Sequence, residues 1–225
     1  HISMKNTLSI HQPSFFPWPG YFDIIKQSNV FLYYDHVQFD KNGWRNRNYF
    51  RINDKRKLIT LPIIHNNLLK KINETEIFVP NRSLNKIYSS IYFNYKNYKK
   101  FDEINQQILE DMIKVNWSNL SKFNIFFSEK ICKYLNIRTE RYISSDYKNL
   151  EDKNANLINL CKKFRCDTYL SGIAAKNYLN ENLFKKNKIA VIWHEYQNEY
   201  NLKAKQYSNL NFSMLHHILL EDYFL

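Results

Sequence analysis

Apolar and polar positions along the chain fall into two periods, and their order outlines the fold. A short apolar run at Thr7 to Ile10 stops at His11-Gln12-Pro13, the pattern of a buried strand emptying into a loop. Tyr21, Ile24 and Ile25 share one face of a helix over 21–27, and Val30 to Tyr34 forms a second strand ending at Asp35. Strand, loop, helix and strand within some thirty residues is the βαβ unit of a parallel sheet. Tyr49 to Ile52 and Lys57 to Ile63 read as a hairpin turning at Asn53-Asp54. Helical stretches follow near 83–95, 102–114 and 119–135; the third carries Leu120, Phe123, Phe127, Ile131 and Tyr134 at three- and four-residue steps behind a Ser118/Asn119 cap.

A strand over 138–143, a helix near 150–164 and a strand Asp167 to Leu170 running into Ser171-Gly172 come next. A short helix from Lys176, a strand Ile189 to Trp193 and a helix Phe212 to Leu220 complete the pattern. Two βαβ units around a helical insertion at about 83–135 predict an α/β three-layer sandwich with a mainly parallel sheet. Residues 4–225 are expected to form a single domain; His1 to Ser3, ahead of Met4, read as an expression-tag remnant.

Composition changes this picture little. The net charge of +12 suggests a polyanionic partner, but 25 Lys against 8 Arg, with many Asn and Tyr and only 3 Gly, is what an AT-rich genome encodes. The lysines are scattered, without a run of five or six, so nucleic acid is not expected as a partner. No apolar run reaches the roughly 20 residues of a membrane span, and no signal peptide is expected. Cys132, Cys161 and Cys166 match no metal or redox spacing and read as small buried hydrophobes in a reducing, cytoplasmic setting. The histidines show no zinc-ligand spacing; His216 and His217 are neighbours on a helix and point apart, so no metal is expected. Walker, GxGxxG and GxSxG motifs are absent.

Ligands of open parallel sheets bind beyond the carboxyl ends of the strands. His11-Gln12, Asp35 and Ser171-Gly172 all stand at such ends, which is the physical case for a site there. Three prolines stiffen the loop Pro13 to Pro19, presenting His11, Gln12 and the Trp18 ring in one geometry; Phe15 and Phe16 read as an aromatic plug. Alternation sets Asp35, Val37 and Phe39 on one face and His36, Gln38 and Asp40 on the other. In Trp44-Arg45-Asn46-Arg47-Asn48 the guanidinium and carboxamides suit phosphate, carboxylate or sugar hydroxyls, with Arg45 read as a solvated basic strand edge.

The stretch HQPSFFPWPGYFDIIKQSNVFLYYDHVQFDKNGWRNRNYFRI resembles the opening block of the WbqC-like family, and DKNANLINLCKKFRCDTYLSGIAAKNYL resembles its second block. Three departures stand out. No glycine precedes Lys153-Asn154, no proline lies in Tyr196-Gln197-Asn198-Glu199-Tyr200, and the chain ends at Glu221 to Leu225 without the usual polar-and-glycine finish. The resemblance implies a bacterial role in making surface polysaccharide such as O-antigen, and carries over His11, Gln12, Pro13, Trp18, Gly20, Tyr21, Asp35, Gln38, Trp44, Asn46, Arg47, Asn48, Ser171, Gly172 and Tyr178. It points to a transferase acting on a nucleotide-linked amino sugar. His11 would be the base and Asp35 its partner, with Trp18 and Trp44 stacking, Asn46, Asn48 and Gln12 reading hydroxyls, and Arg47 on a phosphate. Ser171 with the Gly172 N–H would form an oxyanion nest. The donor would be an acyl or aminoacyl thioester on coenzyme A or an acidic carrier protein. A nucleotidyl or adenylyl transferase with a HIGH-like fold, or a non-catalytic carrier-binding subunit, is the alternative.

Overall fold

The computed structural model describes residues 6–66, 69–196 and 212–221. In chain order they form β1 (Thr7–His11), α1 (Pro19–Lys26), β2 (Val30–Tyr33), β3 (Arg47–Ile52), β4 (Lys55–Thr60), α2 (Pro80–Tyr95), α3 (Phe101–Ile104), α4 (Asp111–Lys114) and α5 (Leu120–Tyr134). Then come β5 (Glu140–Ile143), α6 (Lys153–Lys163), β6 (Thr168–Gly172), α7 (Glu181–Lys186), β7 (Ala190–His194) and α8 (Met214–Leu220). Contacts divide the chain into two compact units. The first holds the chain up to Gln12, Asp23–Tyr34 and Ile137–Tyr196; the second holds Pro13–Phe22, Asp35–Asn136 and the C-terminal part.

The first unit carries a five-stranded sheet in the order β5-β2-β1-β6-β7, every neighbouring pair parallel. Such a sheet must be covered on both faces, and its strands are accordingly apolar on both: all four residues of β2 and the first four of β6 are buried. Ser9 on one face shares a 2.7 Å hydrogen bond with Ser28, just after α1. On the other face Tyr169 stacks on Phe184 of α7, and Tyr142 packs at a tilt against Phe164 at the end of α6. Helices on opposite faces make the expected three-layer sandwich. They also follow from handedness: β1-α1-β2 steps one way along the sheet and β6-α7-β7 the other, and right-handed crossovers in opposite directions need opposite faces.

The second unit is built on the β3–β4 hairpin, registered from Arg47↔Thr60 to Ile52↔Lys55. Asn53 and Asp54 both take positive φ (51° and 58°), the left-handed pair that matches the twist of a two-residue hairpin. Phe15, Phe16, Phe50, Phe123 and Phe127 form its aromatic core, all nearly fully buried. The Asn119 side chain caps α5 by accepting from Lys122 N.

Three expectations need correction. The helix over 102–114 is interrupted by a π-type turn at Asn105–Leu109, so Phe101–Ile104 and Asp111–Lys114 are separate α pieces. Residues 35–40 are not a regular alternating strand, because their backbone bonds go to distant partners one at a time: Asn73 N to Asp35 O, Ile72 N to Val37 O and Phe39 N to Lys70 O. Ser171 and Gly172 lie inside β6 rather than beyond it, since Ser171 pairs with Trp193 and Gly172 with His194. The run at Gln197 to Tyr200 and the end from Asp222 lie outside the described residues.

Candidate functional site

The direction of strand connection reverses between β1 and β6, which are neighbours in the sheet. In doubly wound sheets that reversal leaves a crevice at the carboxyl ends, and the order here, 3-2-1-4-5, is the 3-2-1-4-5-6 of dinucleotide-binding folds less its last strand. His11 ends β1 and Gly172 ends β6. A Cβ added to Gly172 would stand 3.4 Å from His11 Cε1, so the imidazole lies over the space that the glycine leaves open. The same ring lies parallel to Phe31 with centroids 6.3 Å apart.

On the far side of Gly172, its registered partner His194 ends β7. Registered partners in a parallel sheet project to the same face. The His194 ring is buried and its Nε2–H donates to Asp23 Oδ2 at 2.6 Å, while Gln27 Nε2 donates to the same oxygen at 2.7 Å. That bond fixes the ring tautomer and leaves Nδ1 as the acceptor. Three adjacent strand ends therefore present histidine, glycine and histidine, the last anchored by a carboxylate on α1. Neither Asp23 nor His194 stood out in the sequence. The signal was present, because His194 follows an apolar run as His11 does, but the strand was expected to end one residue earlier.

Other expected residues of this unit are placed differently. Ser171 is buried and alternation turns it to the face opposite Gly172, where its hydroxyl donates to Gly172 O at 3.2 Å. Tyr178 is 47% exposed, with Lys153 Nζ 3.5 Å from its ring centroid. Asn154 clamps this turn, donating to Tyr178 O and accepting from Asn180 N.

In the second unit the polar residues of the first motif are mostly fasteners. Asn48 Nδ2 donates to Phe16 O at 2.8 Å and Phe15 O at 3.3 Å, and its Oδ1 accepts from Tyr49 N. Asn46 Nδ2 donates to Leu61 O, and Asn124 Nδ2 to Arg45 O and Pro13 O. Met214 N, at the start of α8, donates to Pro17 O. A buried loop must find donors for its carbonyls, and these amides supply them. The loop holds Phe16 at φ 39°, a left-handed conformation that costs a non-glycine residue and persists only under such restraint.

Within this motif Trp18 and Trp44 are exposed rings, at 40% and 45%. The Trp18 indole lies against Gly20, where an added Cβ would come within 2.2 Å of it; this approach is why glycine follows the Pro19 helix start. Arg47 stands over the Trp44 ring and donates from Nε to Gly43 O at 3.2 Å and from Nη2 to Asn42 O. Arg45 is no solvated edge. Its side chain is 13% exposed, 3.6 Å from Asp40, and burial pushes its pKa down against that carboxylate. Tyr21 is buried and its hydroxyl pKa is pushed up by desolvation. Asp35 is buried, and Gln38 forms a single bridge to Lys71. Burial also lowers the His36 pKa, opposed by Asp35. All three cysteines are buried.

Among the described residues no group of three or more His, Cys, Asp or Glu side chains is placed to hold a metal, and no helix is long and apolar enough to cross a membrane. The sequence profile of the WbqC-like protein family matches residues 12–220. The uncharacterized protein Rv1507c of Mycobacterium tuberculosis is 33% identical over 190 residues, covering 84% of this chain and 82% of that one. No solved structure matches.

Proposed function

Since the chain belongs to the WbqC-like protein family, we propose that it is a transferase that moves an acyl or aminoacyl group from a thioester to the amine of a nucleotide-linked amino sugar, in the making of surface polysaccharide. The observation that carries this reading is His11 at the reversal point of a sheet whose strand order is that of nucleotide-binding folds. A thioester already holds the energy for amide formation, so the protein must supply placement, a base and an acid. The amine nitrogen attacks the thioester carbonyl and the C–N bond forms. His11 takes the amine proton, the C–S bond breaks, and His11 returns that proton to the leaving thiolate, while His194, which Asp23 holds in place, flanks the site.

Mixing the protein with amino-sugar nucleotides and acyl or aminoacyl thioesters, read by mass spectrometry, tests the proposal. Amide product is expected with wild type and a fall of about 100-fold or more with His11→Ala. Product formed undiminished by His11→Ala overturns it. The same strand order supports a second reading, nucleotidyl transfer. Pyrophosphate release from a nucleoside triphosphate, with no amide formed from thioesters, would replace the first reading with that one.

A further inference from the structure

A groove of about 480 Å³ lies wholly within the second unit, between β4 and one stripe of α2. Its size is that of a small-molecule site. The stripe is helical in spacing: Val79, Arg82, Ser83, Lys86, Ile87 and Ser90 line one wall. Four consecutive residues of β4, Lys57 to Thr60, line the other. Ile52 and Ile87, both buried, form an apolar floor, and Phe78 stands at the mouth, 54% exposed.

The charges on this groove are of one sign. Lys57, Arg82 and Lys86 line it, no carboxylate does, and among the described residues none of the three pairs with an acid. The +12 of the whole chain is diffuse, whereas these three cations converge on one apolar trough. The positive end of α2 opens beside it, and its N-cap residue Val79 contributes no capping side chain. Val79 itself is β-branched yet sits at φ 41°, ψ 66°, and its side chain is 46% exposed. A strained, exposed valine gains nothing for the core, and such strain collects where ligands are held.

We propose that this groove binds an amphiphilic anion, a phosphate monoester carried on an apolar chain. Apolar walls without the cations would take any chain, and cations without the trough would take any phosphate; the combination selects a molecule with both. Three cations match a monoester of charge about −1.5 to −2 better than the single charge of a carboxylate.

Isothermal titration of the full chain with decyl phosphate, below its micelle concentration, tests this. Saturable one-to-one binding is expected, weakened by added salt. Decanoate should bind at least about tenfold more weakly, and inorganic phosphate alone should not bind measurably. Arg82→Gln with Lys86→Gln should lower decyl phosphate affinity by about tenfold or more. Both side chains are exposed, so the fold should survive, and circular dichroism checks that it does. Val79→Trp, which places a bulky ring across the groove and leaves its charges unchanged, should abolish binding by a route independent of charge loss. The proposal falls if decyl phosphate does not saturate, if neutral decyl glucoside binds equally well, or if the charge variant keeps its affinity. Displacement of decyl phosphate by an acidic peptide that binds more tightly would assign the groove to a protein partner and overturn it as well.

Discussion

Two stretches of one sequence block have become physically different things. At His11 the chain ends a strand with a polar ring beside an open glycine position; at Asn46 and Asn48 it turns carboxamides inward onto main-chain carbonyls. On the page both are polar residues in an unusual motif. A polar residue at a strand end stands where the sheet's own backbone pairing stops, at the edge of the crevice where ligands of such sheets bind. A polar residue within a buried loop answers first to the loop's own unpaired carbonyls. Dense motifs therefore mark constraint, and the constraint on Asn48 is architectural before it is anything else.

The largest effect expected within this comparison lies in the aromatic core that the loop covers. Phe127 contacts Phe16, Phe123 and Trp117 and is 1% exposed. Phe127→Ala should cost about 3–5 kcal/mol in urea denaturation through a cavity its neighbours cannot fill. A loss below 1 kcal/mol would show that the loop tolerates a soft core and that the fasteners matter less than argued.

Next comes Asn48. Asn48→Ala strips donors from Phe15 O and Phe16 O and an acceptor from Tyr49 N, and should cost about 2–3 kcal/mol because buried main-chain groups lose partners. A variant that melts like wild type but fails to bind a ligand would move Asn48 to the ligand side of the comparison.

A smaller effect appears as acid sensitivity of the helix that closes the same loop. Burial, with His217 and Arg51 adding to it, pushes the His216 imidazole down to about 3, and Tyr95 Oη lies 2.6 Å from its Nδ1. The folded protein thus keeps this ring neutral, while the unfolded chain binds a proton below about pH 6.5. Stability from the group is fully present above about 6.5 and is lost as pH falls toward 3, at up to about 1.4 kcal/mol per pH unit. His216→Gln keeps an acceptor for Tyr95 and does not titrate. Its stability should fall less than that of wild type between pH 7 and 5.5; equal slopes would mean that the folded ring takes up its proton as readily as the unfolded one.

Most of the sheet was legible in the sequence because its strands are short, apolar and bounded, and because parallel strands with helical connections leave few topologies. The hairpin turn was legible too, since Asn53-Asp54 is a pair that accepts left-handed φ. What could not be read depended on partners far along the chain. The backbone of residues 35–39 is satisfied by residues 70–73, so alternation there had no sheet to serve. Arg45 looked solvated because nothing local announces that Asp40 will meet it in a half-buried turn. The second histidine escaped because its importance comes from lying beside Gly172, a relation of strand order and not of sequence distance.

The smallest expected effect on stability separates the two regions most sharply. Gly20 and Gly172 both lie beside aromatic side chains of motif residues, and neither has a positive φ. At Gly20 a methyl would fall 2.2 Å from the Trp18 ring, so Gly20→Ala must displace the indole. At Gly172, with φ −66° and ψ 148°, any residue can adopt the backbone, and the methyl would meet His11 Cε1 at 3.4 Å, an ordinary contact. Gly172→Ala should therefore change stability by no more than about 0.5 kcal/mol. The glycine is then needed for space and not for folding, and filling that space narrows the gap between His11 and the strand end carrying His194. Amide formation should fall by about tenfold or more at unchanged melting temperature, since a displacement of about 1 Å at a reacting centre is enough to do so. If Gly172→Ala instead unfolds the protein, the strand end is a packing element. If it leaves both stability and turnover intact, the space beside His11 is not where the substrate lies.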